Sequence, residues 1–105
     1  MNIRLGKNQS EDVTRFLDVR IETIECGDDL GDPEWDAVIT KEWAERKSLE
    51  AYRGTLKIES NIEREYFIYE LVNRLDIHEG NASMCEDSAK MAKSIRTLMK
   101  RVRRS

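Results

Sequence analysis

The sequence predicts an all-α fold, a small four-helix bundle preceded by a short N-terminal arm. Three observations lead there. One Pro and five Gly in 105 residues are too few turn formers for a sandwich or barrel. Apolar residues recur at spacings of three and four through four successive segments. Each of those segments is bounded by residues that start or stop helices. The length fits one core and one domain, residues 1–105. A hydrophobic fraction of 39% beside a charged fraction of 37% is enough to fill that core, unlike the composition of a disordered acidic chain.

Residues 1–9 show no helical period and read as the arm. Ile3 and Leu5 alternate, so an α+β alternative with one small β element near residues 2–5 and 55–59 stays open. The first helix is expected over 10–26. Ser10 suits an N-cap, Glu11 and Asp12 suit the positive end of the helix dipole, and Val13, Phe16, Leu17, Ile21 and Ile24 form one stripe. A strand over 18–25 would use the alternation of Val19, Ile21 and Thr23, but Ile24 breaks it. Gly27 then closes the helix in a left-handed turn. Asp32 followed by Pro33 starts the second helix, over 33–53, because an acceptor at the cap precedes a residue that needs no amide partner. Trp35, Val38, Ile39, Trp43, Ala44, Leu49 and Tyr52 give it an apolar side, and Gly54 ends it.

Leu56 and Ile58 fit either a short strand or a lead-in to the next helix. Ser60 and Glu63 form a capping box that opens the third helix, over 60–76, with Ile62, Tyr66, Tyr69, Val72 and Leu75 as its stripe and Phe67 and Leu71 widening it. The fourth helix is expected over 82–103, capped by Asn81 or Ser83, with Glu86 and Asp87 in its first turn. Met84, Ser88, Met91, Ile95, Leu98 and Val102 alternate steps of four and three, the seam of a heptad helix, flanked by Cys85, Ala92 and Met99. A homodimer through this fourth helix and a monomer are both compatible with that seam.

The net charge of −3 hides a polarity along the chain. Residues 1–50 balance to −6, residues 51–80 to −2 and residues 81–105 to +5. Glu22, Glu25, Asp28, Asp29, Asp32, Glu34 and Asp36 follow one another without a Lys or Arg between them. After Asp87 the chain carries only bases: Lys90, Lys93, Arg96, Lys100, Arg101, Arg103 and Arg104.

Catalytic patterns are weak. With a single His no Ser-His-Asp or Cys-His-Asn set is credible, and no glycine-rich phosphate loop occurs. In an up-down bundle Cys26, Cys85 and His78 would share one end, where a disulfide or a zinc site is conceivable. Two cysteines without a paired C-x-x-C spacing read instead as reduced packing residues. A calcium loop starting at Asp28 would need an oxygen ligand at Leu30 and glycine at Pro33. Glu42 and Glu45, faced by Glu63 or Glu70, would be the carboxylates of a metal-dependent hydrolase, the minority reading. Trp43, Ile62 and Tyr66 claim the inward positions at that height, which puts the glutamates on outer faces beside Lys41 and Arg46.

The expectation is therefore a non-enzymatic, cofactor-free and metal-free cytoplasmic protein without membrane contact. Its acidic surface, Glu22 to Asp36, would occlude the basic surface of a protein partner. The concrete version is a stoichiometric, phage-type inhibitor of a host defence or nucleic-acid machine. The alternative is a small nucleic-acid-binding regulator using Lys93, Arg96, Lys100, Arg101, Arg103 and Arg104.

Overall fold

The computed structural model describes residues 2–105, so Met1 of the expected arm lies outside the described residues. The chain runs β1 (Asn2–Arg4), α1 (Lys7–Glu25), α2 (Pro33–Val38), α3 (Lys41–Tyr52), β2 (Thr55–Lys57), α4 (Asn61–Asn81) and α5 (Glu86–Arg104). It is a mostly helical domain, and its β content is the small element the alternative reading described. β1 and β2 pair antiparallel with Ile3 opposite Leu56, and both of those side chains are buried. The ribbon thus presents its apolar residues to the core while Asn2 and Arg4 face out, the period-two pattern of a half-buried strand.

Helix boundaries depart from the expectation in four places, each for a local reason. The expected second helix, 33–53, is two helices. Ile39 leaves the helical region at ψ 72°, Thr40 is extended, and the Thr40 hydroxyl accepts the Trp43 amide at 3.2 Å to cap α3. A β-branched pair with a hydroxyl that bonds its own backbone favours such a break. The bend buries Ile39 and lets both tryptophans reach the Tyr66 ring. α1 begins before Ser10, at Lys7, with Gly6 at the cap and the Gln9 side chain accepting the Gly6 amide at 2.9 Å. Ser10 instead donates its hydroxyl to the Ala51 carbonyl, tying α1 to α3. α4 continues past residue 76 to Asn81 because His78 finds a buried partner on α1. α5 starts later than residue 82, with Cys85 at its cap, since the Asn81 side chain turns back to the Ile77 carbonyl. Gly27 and Gly54 end α1 and α3 with φ near +88°, the left-handed turns the sequence predicted.

α1 packs along α3, α4 packs along α5, and α1 bridges the two pairs. At the centre Phe16, Trp35, Trp43, Tyr66 and Phe67 form an aromatic cluster with ring centroids 5.6–6.4 Å apart, mostly edge to face. Ile95, Leu98 and Val102 are fully buried. The second half of the heptad seam is consumed inside the chain, so those three residues have no surface to offer a second copy, whereas Met84 at its start is 87% exposed and Ser88 and Met91 are half-buried.

The Tyr66 hydroxyl is buried in this cluster without a hydrogen-bond partner among the described residues. Desolvation, with Glu70 adding to it, pushes its ionisation far above the ordinary range. An orphaned buried hydroxyl costs about 1–3 kcal/mol, so Tyr66→Phe is expected to stabilise the fold by roughly 1 kcal/mol. Thermal unfolding should show a midpoint several degrees higher, and a lower midpoint would mean that the hydroxyl is satisfied in solution.

Candidate functional site

The exposed side of α5 gathers the seven bases that follow Asp87. At 100° per residue, Ala92, Ile95, Leu98, Met99 and Val102 occupy an arc of about 120°, and all five are buried. The seven bases from Lys90 to Arg104 fill an arc of about 160° on the other side. Six of them are exposed and Arg101 is half-buried. Arg96 pairs with Glu79 at 2.7 Å, and it is the one base of α5 in an ion pair among the described residues. The charged stretch spans about 21 Å, the rise of about six nucleotides along one strand of a duplex. Its end is fastened, because Ser105 donates to the Val102 carbonyl at 2.6 Å and accepts from Arg64 of α4 at 3.4 Å. The face carries no aromatic ring, so it is built to meet phosphates and not to stack bases.

The acidic segment is used quite differently. Asp32 caps α2, accepting the Glu34 and Trp35 amides at 2.9 and 3.4 Å. Asp36 accepts the Leu30 amide at 2.8 Å, and Asp29 closes a tight turn on the Gly31 amide at 2.9 Å. Glu25 lies 3.1 Å from Lys41, and its hydrogen bond and charge hold that ammonium above its ordinary range. Four of the seven acids thus hold the α1–α2 connection and its junction with α3. Glu22, Asp28 and Glu34 remain exposed with no side-chain bond among the described residues. Asp29 two residues before Gly31, and Asp32 before Pro33, are local cap patterns that could have signalled this use.

The carboxylates of the hydrolase reading do not converge. Glu42 and Glu45 are exposed on α3, and Glu45 lies 3.8 Å from Lys41. Glu63 points the other way, into the core, a correction to its expected outer position. It accepts the Trp43 indole N–H at 2.7 Å and the Glu59 amide at 2.8 Å, and it lies 3.2 Å from the fully buried Lys47 ammonium. Lys47 also donates to the Lys57 carbonyl at 2.8 Å and sits 5.9 Å from the Trp43 ring. Cys26 and Cys85 are exposed free thiols, whereas His78 is buried on Asp12, so His78 does not complete a ligand set with them. Among the described residues no group of three His, Cys, Asp or Glu is placed to hold a metal ion.

A second buried polar cluster joins α1 to α4. Asp12 accepts Arg74 at 2.6 and 3.0 Å and lies 3.2 Å from His78 Nε2 through both carboxylate oxygens. These two clusters are what sequence periodicity missed: Asp12, Lys47, Glu63 and His78 are polar residues at core positions of otherwise amphipathic helices.

The buried Glu63 and the half-buried Glu70 should give the fold a two-sided pH response. Burial pushes Glu63 up, but the Trp43 N–H, the Lys47 charge and the Glu59 amide outweigh it and hold the group below its usual 4.5. Its stabilising contribution is present above that value and is lost as pH falls through the lower folded value. Burial raises Glu70, against the opposing charges of Arg20 and Arg74. Its ionisation therefore weakens the fold at neutral pH, and that loss is relieved as pH falls through the raised folded value. Urea midpoints from about pH 7 to pH 3 should rise and then fall. Glu70→Gln should abolish the rise and leave the acid-side fall, and a rise that survives in Glu70→Gln would contradict this assignment.

Among the described residues no helix is long and apolar enough to cross a membrane. Compared with known proteins, the chain matches no protein-family profile, no curated protein and no solved structure.

Proposed function

We propose that this chain is a non-enzymatic binding protein that engages a polyanionic backbone, a nucleic acid, through the exposed face of α5. The observation that supports the reading is seven bases on one face of a packed and fastened helix, six of them free of ion pairs among the described residues. Phosphates need positive charge in a row, and a helix whose apolar side is buried in its own domain presents that row without unfolding. The Lys and Arg near the helix end also complement its dipole, but Lys90 and Lys93 lie in its first half, where the dipole gives them no reason to be.

A second reading keeps the acidic segment as a contact for the basic surface of a protein partner, as in a stoichiometric inhibitor. Glu22, Asp28 and Glu34 favour it, since they stay exposed on a frame that Asp29, Asp32 and Asp36 brace through the backbone. It has three free carboxylates where the first reading has six free bases.

Two triple variants separate the readings. Lys93→Gln/Lys100→Gln/Arg104→Gln should weaken binding of labelled duplex DNA or single-stranded RNA by about 10–100-fold at low salt, read by fluorescence anisotropy. Glu22→Gln/Asp28→Asn/Glu34→Gln should leave it unchanged or tighten it. All six side chains are exposed, so both variants should melt within a few degrees of the parent. If the basic triple binds like the parent, the reading fails.

A further inference from the structure

A groove of about 650 Å³ runs between α1 and the end of α3, and a smaller hollow continues it along α3. The two helices are antiparallel: Ser10 bonds Ala51, Ser48 donates to Asp18 at 2.7 Å, and Glu25 pairs with Lys41. Along one row of α1 stand Lys7, Glu11, Arg15, Asp18, Glu22 and Glu25, at steps of three and four. Arg53 adds to the Lys7 end, and Glu45 adds to the Glu25 end. One end of the face is therefore basic, with Glu11 its single acid, and the other is acidic, with Lys41 its single base. Between them Val19, Leu49 and Tyr52 are 56%, 51% and 77% exposed, large apolar side chains that the described residues leave half or more uncovered. Scattered singly they would need no explanation, but here Val19 and Tyr52 line the groove and Tyr52 and Leu49 line the hollow that continues it.

We propose that this face docks on the same face of a second copy of the chain across a two-fold axis. A two-fold axis lying in the contact plane and perpendicular to the α1 row places the basic end of each copy on the acidic end of the other and brings the two apolar centres together, so one gradient of charge satisfies both halves of the contact. No other partner is needed to match that gradient. The two helices offer a patch of roughly 20 Å by 20–28 Å, about 400–550 Å² of flat area. That is less than the ≈ 800 Å² per partner of a standard stable interface, so the dimer is weak, with Kd on the order of 10–100 µM. The proposal uses no residue of α5 and is independent of the polyanion reading.

The test is analytical ultracentrifugation of the full chain from a few micromolar to about 300 µM, a range that brackets such an affinity. Variant one, Lys7→Glu/Arg15→Glu, makes the face net acidic with Arg53 and Lys41 still present, and variant two, Glu22→Lys/Glu45→Lys, makes it net basic with Glu11, Asp18 and Glu25 still present. Each alone should stay monomeric, while an equimolar mixture should form a heterodimer at least as tight as the parent dimer. Tyr52→Ser, which removes an exposed ring and touches no core contact, should weaken the parent dimer about 10-fold or more. A parent chain that is monomeric across the range overturns the proposal, as does a dimer that both charge variants and Tyr52→Ser leave intact. A monomer whose groove instead captures an added peptide counts against it equally.

Discussion

Glu63→Ala is expected to destabilise the protein by about 3–5 kcal/mol, the cost of breaking a buried ion pair by removing one partner. Glu63 is 3% exposed and Lys47 is fully buried, so the lysine cannot recover its hydration when the carboxylate goes. The variant also orphans the Trp43 indole N–H and the Glu59 amide and removes the carboxylate that accepts the Ser60 hydroxyl at 3.3 Å, while the backbone amide of residue 63 keeps its bond to Ser60 Oγ at the start of α4. Glu50 and Glu59, each 3.6 Å from the ammonium, retain part of the charge balance and favour the lower end of the range. For a domain of this size the loss corresponds to a melting midpoint roughly 12–25 °C lower. Replacing both partners, Lys47→Met with Glu63→Leu, should recover a large part of the loss because no unpaired charge stays in the core. Urea unfolding of the three chains checks this. A Glu63→Ala loss below about 1 kcal/mol would show that the network is not a structural element.

Asp12→Ala should cost about 2–4 kcal/mol and act at a distance in sequence, on the last turns of α4. Asp12 is 1% exposed and holds both Arg74 and His78, which are 62 and 66 residues further along the chain. Without it the guanidinium loses its carboxylate in a half-buried position, and the turns beyond residue 76 lose what holds them on α1. Hydrogen exchange should therefore speed up from His78 to Asn81 more than in the first turns of α4. Uniform exchange changes along the whole helix would mean that the cluster contributes to overall stability without fixing the end of α4.

The regular part of the fold was legible in the sequence because it follows from period and caps. Phe16 with Leu17, Tyr66 with Phe67, and Ile95 with Leu98 and Val102 are all buried as their spacing predicts, and the Asp32–Pro33 and Ser60–Glu63 signals mark real helix starts. Illegible were events decided by a partner far along the chain. Thr40 breaks the expected helix where the bend buries Ile39 and brings Trp35 and Trp43 to one tyrosine, and α4 gains a turn because Asp12 waits for His78. The same cause explains the charged residues. Lys47 and Glu63 look like ordinary helix-surface charges until the fold buries them together, and four of the acids in the 22–36 run serve caps, a turn and a salt bridge. The basic run of α5 is the exception, because the amphipathic period of that helix already places its bases opposite its apolar stripe.

The central claim, that the α5 face meets a phosphate backbone, is tested most directly by the salt dependence of binding for the full chain. Affinity for duplex DNA and for single-stranded RNA would be measured from about 50 to 200 mM monovalent salt and plotted as log affinity against log salt. With six bases unpaired among the described residues and spread over an arc too wide for all to touch one strand, the slope on duplex DNA should lie near −3 to −5, a loss of roughly 10²–10³-fold. A flat plot, or no binding even at the lowest salt, would contradict the account.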